Sequence, residues 1–454
     1  MPYGALVVAV ASTGLLVAFA PRHSLLSVLL VFVATAACGV FVVLEQRQGR
    51  VGPRPVVAAV GLVFLVALIT PPRASNDIWS YAAYGRMVSV HHASPYEHVP
   101  ADFRSDPLFK EVSPIWRHRG SVYGPAFVAF AAGVTFVAGD SPTTTRVLFQ
   151  LCAAAVVAAV LALVWRRTRS PAAMAWLGLH PLFGATVANS GQVDAFVGLA
   201  ILAGALLATQ RRGVAAGLSI AAAALTKLTA LLALVGLALW GWRRRERRVA
   251  ISAVAATGVA VTLVYLPFIG GAFGVLDGAD HTVTPGSVWS APAQWLVGHD
   301  AGRDLSPLAS NTTLSVLFYA SIALVAVVAV SVGWRAARAE RAEPAVGAAT
   351  SSYTVAAQYT LPWYAAWSLP SLADHKPSLL AWVVWIQAAV LLAAWKLPSP
   401  VEGGVLETGV RGLLLYAAPI MLLAAFVVAG TVARGVRFRF RHAAREATRA
   451  RTTS

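Results

Sequence analysis

SLLSVLLVFVATAACGVFVVLEQRQGRVGPR, residues 24–54, begins with a long apolar run and ends in a cluster of arginines. A helix needs about 20 apolar residues to cross the hydrocarbon core of a bilayer. The same pattern recurs along the 454-residue chain, which is 58% hydrophobic and only 12% charged. Too few charges remain to cover a soluble protein of this length, so the sequence predicts an all-α, polytopic integral membrane protein.

The formal net charge of +17 comes largely from arginines in short clusters between the apolar runs. Basic residues concentrate in the cytoplasmic loops of membrane proteins, so the charge first reports topology, and nucleic-acid binding is not expected. Both cysteines, Cys38 and Cys152, lie inside apolar runs. No disulfide framework is therefore expected.

The arginine clusters predict the direction of each crossing. Spans at 3–20, 24–45 and 55–71, with the cluster at 47–54 inside, place the N-terminus in the cytoplasm and residue 72 outside. If residues 124–139 then crossed inward, the later arginines 166–169 would lie outside. We therefore interpret 124–139 as an interfacial or re-entrant helix.

Residues 213–242 form a second exception, because arginine clusters flank this segment on both sides and Lys227 lies near its middle. A single crossing would put one cluster outside, so the pattern predicts two short helices in a hairpin with Lys227 at the outer tip. The remaining spans bring the total to about fourteen transmembrane helices, some of them short or re-entrant. Spans are predicted at 249–268, 312–332, 378–396 and 410–432, with a helix at 345–360.

We predict one transmembrane domain over residues 1–433, followed by a basic cytoplasmic tail at 434–454. Within this domain, residues 1–54 are extra N-terminal helices, 72–139 form the catalytic outer loop and interfacial helix, and 269–311 form a second outer loop. Both termini are expected in the cytoplasm of a multi-pass plasma-membrane protein.

The first outer loop begins with SNDIWSYAAYGRM, residues 75–87. Helical spacing puts Asp77, Tyr81 and Tyr84 on one face. Sugar sites often combine aromatic rings, which stack on apolar sugar faces, with acceptors for the hydroxyls. Alternatively, Asp77 caps the helix and the aromatic residues form an interfacial belt. The stretch alone leaves both interpretations open, and the many further carboxylates, aromatic rings and cations of this loop favour a site.

Arg117, His118 and Arg119 lie on the side where cations are disfavoured, which indicates a bound anion. Attraction to anionic lipid headgroups is the alternative. Lys227 within an apolar hairpin also predicts an anionic partner, and a phosphate headgroup would serve.

Two further polar residues have a simple structural explanation beside a functional one. His180 is either a packed, hydrogen-bonded residue or part of a functional interior. Asp194 either caps a helix or contacts substrate. No metal-binding or phosphate-loop motif is present in the sequence.

In this order the motifs resemble the glycosyltransferase-C superfamily, and within it the actinobacterial polyprenol-phosphomannose-dependent alpha-1,6-mannopyranosyltransferases. The resemblance rests on Asp77-Ile78-Trp79-Ser80-Tyr81, Gly85-Arg86, Ser94-Pro95-Tyr96, Tyr123-Gly124-Pro125, His180-Pro181, Gly191-Gln192-Val193-Asp194, Lys227 and Leu361-Pro362-Trp363-Tyr364. It implies an inverting enzyme that moves a sugar, mannose first, from a polyprenyl phosphate to a cell-envelope glycan or glycolipid outside the cytoplasm. Membrane lipids are further expected partners.

The resemblance also implies roles for particular residues. Asp77 would be the general base, and Arg117, His118, Arg119 and Lys227 would stabilise the leaving phosphate, with His281 as a further candidate. The substrate-binding set implied by the motifs is Tyr81, Tyr84, Arg86, Tyr96, Arg117, His118, Arg119, Tyr123, His180, Gln192, Asp194, Lys227, His281, Trp363 and Tyr364.

One departure from the family pattern concerns metal. Many members carry paired acidic residues in the first outer loop, whereas Asn76 precedes Asp77 and Trp79 follows. This favours a single-carboxylate mechanism with no cofactor and no divalent metal. Two alternative functions stay open: the same fold acting on another lipid-linked sugar, such as arabinose or glucose, and a lipid-linked sugar transporter or flippase.

Overall fold

The computed structural model describes residues 1–271, 282–297, 311–398 and 405–432, and within these ranges the protein is helical, without β-strands. The α-helices are α1 (Pro2–Ala18), α2 (Leu25–Gln48), α3 (Pro53–Ile69), α4 (Asp77–Ser89), α5 (Pro114–Arg117), α6 (Pro125–Ala138), α7 (Pro142–Thr168), α8 (Pro171–Gly178), α9 (Asp194–Thr209), α10 (Gly213–Ala224), α11 (Leu232–Arg243), α12 (Arg247–Tyr265), α13 (Ser290–Val297), α14 (Asn311–Ala336), α15 (Glu343–Ala356), α16 (Leu369–Leu372), α17 (Leu379–Trp395), α18 (Val405–Gly412) and α19 (Ala418–Val432). Short 3₁₀ helices lie at Pro100–Phe103, Phe109–Glu111, Leu228–Leu231, Leu266–Phe268 and Pro362–Trp367, and π-helical turns at Phe183–Ala188 and Leu413–Ala417.

Five stretches in the described ranges are long and apolar enough to cross a membrane, and shorter apolar helices of 10–17 residues accompany them. The long stretches are Leu25–Gln48, Pro142–Thr168, Arg247–Phe268, Ser315–Ala336 and Leu406–Gly430. The all-α prediction is confirmed, and these helices fit a membrane protein. The number of about fourteen crossings stays a prediction.

Contacts between distant loops define the two ends of the helix bundle. At one end, Asn189 donates a hydrogen bond from Nδ2 to the Ala67 carbonyl at 3.1 Å, next to the loop that leads to α4. At the other end, Arg341 pairs with Asp374 at 3.1 Å, and Gln46 donates to the His375 carbonyl, also at 3.1 Å. The basic clusters near residues 47–54 and 341 therefore lie at the end of the bundle opposite Asp77.

Helices α4 and α6 pack closely at the Asp77 end because Gly85 lacks a side chain. A Cβ added at Gly85 would lie 2.4 Å from the Ala131 carbonyl oxygen. With 14 residues, α6 is about 21 Å long, shorter than the roughly 30 Å hydrocarbon core. Its length fits the interfacial or re-entrant helix predicted at 124–139.

The hairpin predicted at 213–242 is present as α10 and α11, with Lys227 in the turn between them. This turn hydrogen-bonds to the start of α6, where the Gly124 N–H donates to the Thr226 carbonyl at 3.0 Å. A Cβ at Gly124 would lie 2.2 Å from the Leu225 carbonyl oxygen. Glycine at this position thus lets the chain bring Tyr123 beside Lys227.

Three groups of buried apolar residues surround the Asp77 end. The largest packs α1, α2, α3, α7, α8, α15 and α17 together. A second joins α9, α10 and α11 to the segment 361–367. The third is small and aromatic, with Tyr81, Tyr84, Tyr123 and Phe127 among its members. The candidate site lies where the aromatic group meets the second core.

Candidate active site

Asp77 is the first residue of α4, and its backbone N–H donates to Ser75 Oγ at 3.1 Å. Gln192 Nε2 donates to Asp77 Oδ2 at 3.4 Å, and Tyr81 donates its hydroxyl hydrogen to Gln192 Oε1 at 2.8 Å. Gln192 and Tyr81 are fully buried, whereas Asp77 is partly exposed. The predicted face of α4 therefore exists, and a buried amide holds one carboxylate oxygen.

Burial raises the pKa of Asp77 above its ordinary value. Hydrogen bonds with Ser75 and Gln192 and the positive charge of Lys227 act in the opposite direction, and the charge of Asp194 raises the pKa again. Desolvation disfavours the charged carboxylate, so the balance gives Asp77 a higher affinity for a proton than a solvated aspartate has. A carboxylate with this property is a suitable general base.

Aromatic rings form a wall beside Asp77. The Tyr81 ring meets those of Tyr123 and Phe127 edge-on, with centroids 5.1 and 5.0 Å away. Tyr84 donates its hydroxyl to the carbonyl groups of Arg119 and Gly120 at 3.1 Å each. The wall is held in place by packing and by hydrogen bonds to the outer loop.

Asp194 and Lys227 form an ion pair of 2.9 Å at the same end of the bundle. Trp367 Nε1 donates a second hydrogen bond, 2.6 Å long, to the same oxygen, Oδ1 of Asp194. Asp194 is fully buried, and its Oδ2 has no hydrogen-bond partner among the described residues. The prediction that Lys227 has an anionic partner is met within the chain, because the carboxylate of Asp194 supplies it.

The short 3₁₀ helix Pro362–Trp367 builds an aromatic surface under Lys227. Side chains three residues apart eclipse each other in a 3₁₀ helix, and the Tyr364 and Trp367 rings accordingly stack with centroids 4.5 Å apart. Lys227 Nζ lies 4.1 Å from the Tyr364 ring centroid and 5.3 Å from that of Trp367. Cation–π attraction thus helps to fix the ammonium group.

The three cations of the outer loop do not act as one group. Arg117 donates to the carbonyls of Val112 and Lys110, and its guanidinium lies 5.0 Å from the Phe109 ring. His118 is exposed. Arg119 is close enough to Tyr84 and Tyr359 for its charge to act on the pKa of both phenols. Of the three, the structure brings Arg119 to the aromatic wall.

Arg86 lies about 13 Å beyond Asp77 along α4 and has an anchoring role. It pairs with Asp106 at 2.8 Å and Asp140 at 2.7 Å, and donates to the Gly139 carbonyl at 2.8 Å. Burial would raise the pKa of Asp106, but Arg86 and His91 hold it below the ordinary value. The structure corrects the prediction for Arg86, because loop acceptors occupy the guanidinium that was assigned to substrate.

His180 is also corrected to the packing alternative. It is fully buried, its Nε2 lies 3.1 Å from the Trp385 carbonyl oxygen, and its Nδ1 accepts the Leu182 N–H. Both ring nitrogens are therefore satisfied within the helix bundle.

Two other predicted residues shape the wall indirectly. Tyr96 donates its hydroxyl to the Tyr123 carbonyl at 2.9 Å, and Trp363 packs edge-on against Trp395. His281 and most of the second outer loop, like the basic tail, lie outside the described residues.

Sequence reasoning missed several residues at the site. Trp367 lies three residues after Tyr364, the 3₁₀ repeat that would have pointed to it, but the Asp194 contact itself spans the fold. Tyr353 and Tyr359 extend the aromatic surface, with centroids 5.8 and 6.3 Å from that of Tyr364. Ser75 was visible only as part of the quoted outer-loop stretch.

Within the described ranges, no three His, Cys, Asp or Glu side chains gather as metal ligands would. Asp194 is occupied by Lys227 and Trp367, while the groups hydrogen-bonded to Asp77 are neutral.

Comparison with known proteins supports a specific family. Alpha-(1->6)-mannopyranosyltransferase A of Mycobacterium tuberculosis is 29% identical over 379 residues, covering 72% of this chain and 72% of the relative. The protein of the same name from Corynebacterium glutamicum is 26% identical over 365 residues, covering 72% and 73%. No solved structure matches. Residues 3–244 match the model described as alpha-(1->6)-mannopyranosyltransferase, N-terminal domain, and the chain therefore belongs to this glycosyltransferase family.

Proposed function

We propose that the protein transfers mannose from a polyprenyl phosphate to a hydroxyl of a cell-envelope glycan or glycolipid, with inversion at the anomeric carbon. The reaction takes place at the extracytoplasmic face of the plasma membrane. Both termini lie in the cytoplasm, and the chain crosses the membrane through about fourteen helices, some of them short or re-entrant. Family membership supports the sugar and the type of reaction.

The observation that carries the proposal is the placement of Asp77 beside the Lys227–Asp194 pair in one aromatic surround. The charges of both partners act on Asp77, and the Tyr123 ring centroid lies 5.7 Å from Lys227 Nζ. A partly exposed base, a fixed cation and aromatic rings are the groups that a sugar phosphate and an incoming hydroxyl require.

In the proposed reaction, Asp77 accepts the proton of the acceptor hydroxyl as its oxygen bonds to the anomeric carbon. The bond from that carbon to the phosphate oxygen breaks on the opposite face, and its electron pair leaves with the polyprenyl phosphate. Gln192 holds the second interaction of Asp77, so that the other carboxylate oxygen faces the acceptor. Attack from the side opposite the leaving group gives inversion.

The leaving phosphate needs positive charge and no proton donor. Lys227 has two N–H bonds beyond the one given to Asp194, and its side chain keeps 13% of its exposed area. Arg119 is exposed near the same wall. These two cations are our choice for the phosphate, and Asp194 and Trp367 position Lys227.

An apolar cavity supports a lipid-linked donor. It has a volume of about 250 Å³ and lies between the start of α11, the middle of α14 and the end of α15. Leu232, Phe318, Ile322 and Val325 line it, and Tyr353 and Tyr359 connect it to the aromatic surface at Lys227. A prenyl chain in this cavity would place its phosphate near the ammonium group.

We propose that transfer requires no divalent metal. Neutral groups hold Asp77, and the fixed ammonium of Lys227 supplies the charge that a metal would otherwise bring to the phosphate. Adding a chelator to the transfer assay tests this point, and an unchanged rate is expected.

The proposed function is tested by supplying membranes that contain the protein with radiolabelled polyprenyl-phosphomannose and a mannan acceptor. We expect label in the glycan and an α-linked product from a β-linked donor. The arabinose-linked and glucose-linked donors are supplied in parallel, and faster transfer from either would replace mannose as the substrate.

Sealed vesicles separate transfer from transport. The proposal predicts that labelled lipid-linked sugar does not change sides at a rate that depends on the protein. Protein-dependent movement across the vesicle membrane without any transfer to acceptor would make the protein a transporter.

A further inference from the structure

Three cations from distant parts of the chain meet where the loops at 20–24 and 72–76 contact the end of α17. Arg22 Nη2 donates to the Pro72 carbonyl at 3.0 Å and to Asn76 Oδ1 at 2.6 Å. Arg73 Nη1 donates to the Ala20 carbonyl at 3.0 Å, and Lys396 Nζ donates to the Arg73 carbonyl at 3.2 Å. We name Arg22, Arg73 and Lys396 the cation cluster.

The cation cluster lacks a carboxylate partner in the part of the chain that the structure describes, since none of its members takes part in an ion pair there. The imidazole of His23 borders it. Burial, then the positive charges of Lys396 and Arg22, lower the pKa of His23. The local field is therefore positive, at the end of the bundle where membrane proteins carry fewer cations.

Helix capping accounts for only part of this charge. Helices α1, α3 and α17 all end beside the cluster, at Ala18, Ile69 and Trp395. Each helix C-terminus carries about half a negative charge, so roughly half of the positive charge stays unbalanced. Lys396 is only 3% exposed and has two N–H bonds left, whereas Arg22 is exposed and Arg73 half-buried. An anion can reach the cluster from the side of the two arginines.

The surroundings favour an anion attached to a lipid. Phe19, next to Ala20, is 76% exposed, and Ile69, near Pro72, is 70% exposed. Apolar side chains exposed beside cations at helix ends match the boundary between acyl chains and headgroups. A free inorganic anion would have no use for the apolar border.

We propose that the cation cluster binds the phosphate of an anionic phospholipid headgroup. Guanidinium groups bind phosphate oxygens in a two-pronged geometry, and the ammonium adds a point charge. The site does not depend on the transfer reaction, because it uses other residues and another ligand. It does lie on the loop that ends in Asp77, so a bound lipid would steady the start of α4.

Native mass spectrometry of the full-length protein tests the proposal, with phosphatidylglycerol or phosphatidylcholine added to the detergent micelles. We expect the wild type to retain phosphatidylglycerol, and the double variant Arg73→Gln/Lys396→Met to retain it several-fold less. The matched control is Arg50→Gln/Arg54→Gln, which removes two exposed arginines at the opposite end of the bundle and leaves retention unchanged.

Thermal unfolding provides the second measurement. Phosphatidylglycerol should raise the Tm of the wild type and of the control variant, but not that of the double variant. Equal stabilisation by inorganic phosphate would assign the site to a free anion and overturn the lipid assignment. Wild-type retention of phosphatidylglycerol by the double variant would leave the cluster with helix capping alone.

If the double variant does not fold, Arg22→Gln replaces it, because Arg22 is exposed. A several-fold loss of retained phosphatidylglycerol is expected there too, and unchanged retention would contradict the proposal.

Discussion

Asp77 and Asp194 each begin a helix at the same end of the bundle, yet their surroundings differ. Asp194 is fully buried and bound by Lys227 and Trp367. Asp77 is partly exposed, and its partners Ser75 and Gln192 are neutral. A carboxylate bound by an ammonium has little tendency to take a proton, whereas burial among neutral groups raises the pKa of the other. The difference assigns proton transfer to Asp77 and the positioning of a cation to Asp194.

The largest expected effect comes from Asp77→Asn. Loss of the base should lower kcat by about 10²- to 10⁴-fold, the usual range for general-base catalysis. The Tm should stay close to that of the wild type, because the amide keeps a hydrogen bond with Gln192. Initial rates with the lipid-linked donor and a thermal melt measure both quantities. A folded variant with wild-type kcat would remove Asp77 from the mechanism.

Lys227→Met tests the other carboxylate. It leaves the buried charge of Asp194 unpaired, and the expected loss is about 3–5 kcal/mol of unfolding free energy, seen as a lower Tm. The double variant Lys227→Met/Asp194→Asn should recover much of the Tm but no transfer activity. A single variant as stable as the wild type would show that the ion pair does not hold the site together.

Trp367→Phe should have a smaller effect, because the ring stack on Tyr364 is kept and only the hydrogen bond to Asp194 is lost. A hydrogen bond to a charged group contributes about 1.5–3 kcal/mol. The matched control is Trp363→Phe, since Trp363 packs against Trp395 without a hydrogen bond to Asp194. Equal losses of Tm in the two variants would deny the Nε1 contact any special role.

Gln192→Met should give the smallest change, a shift in the pH dependence. Hydrogen bonding with Gln192 lowers the pKa of Asp77, so its loss should move the acid limb of kcat/KM to higher pH. The profile of the variant is compared with that of the wild type in the same membranes. An unmoved acid limb would place Gln192 among residues that only pack.

Much of the fold could be predicted from the sequence, because membrane insertion depends on composition and arginine position more than on tertiary detail. The hairpin around Lys227 followed from two flanking arginine clusters. The number of crossings did not follow with the same security, since helices such as α6 are too short to cross and too apolar to be loops.

The site could be predicted only where its residues are close in sequence. Tyr81 lies one helical turn from Asp77, and this spacing placed it on the correct face. The Trp367–Asp194 contact joins residues 173 positions apart, and no local pattern encodes such a pairing. Arg86 misled for the converse reason, because its motif position suggested substrate while Asp106 and Asp140 claim its guanidinium.

The central claim is that Asp77 is the group whose ionisation controls transfer. The direct measurement is the pH dependence of kcat/KM for the wild type and for Asp77→Asn in the same membranes. Burial raises the pKa of Asp77, so the wild-type rate should fall on acidification at a pH above the ordinary aspartate value. The residual rate of Asp77→Asn should be flat through that range. An acid limb that persists at the same pH in Asp77→Asn would contradict the account.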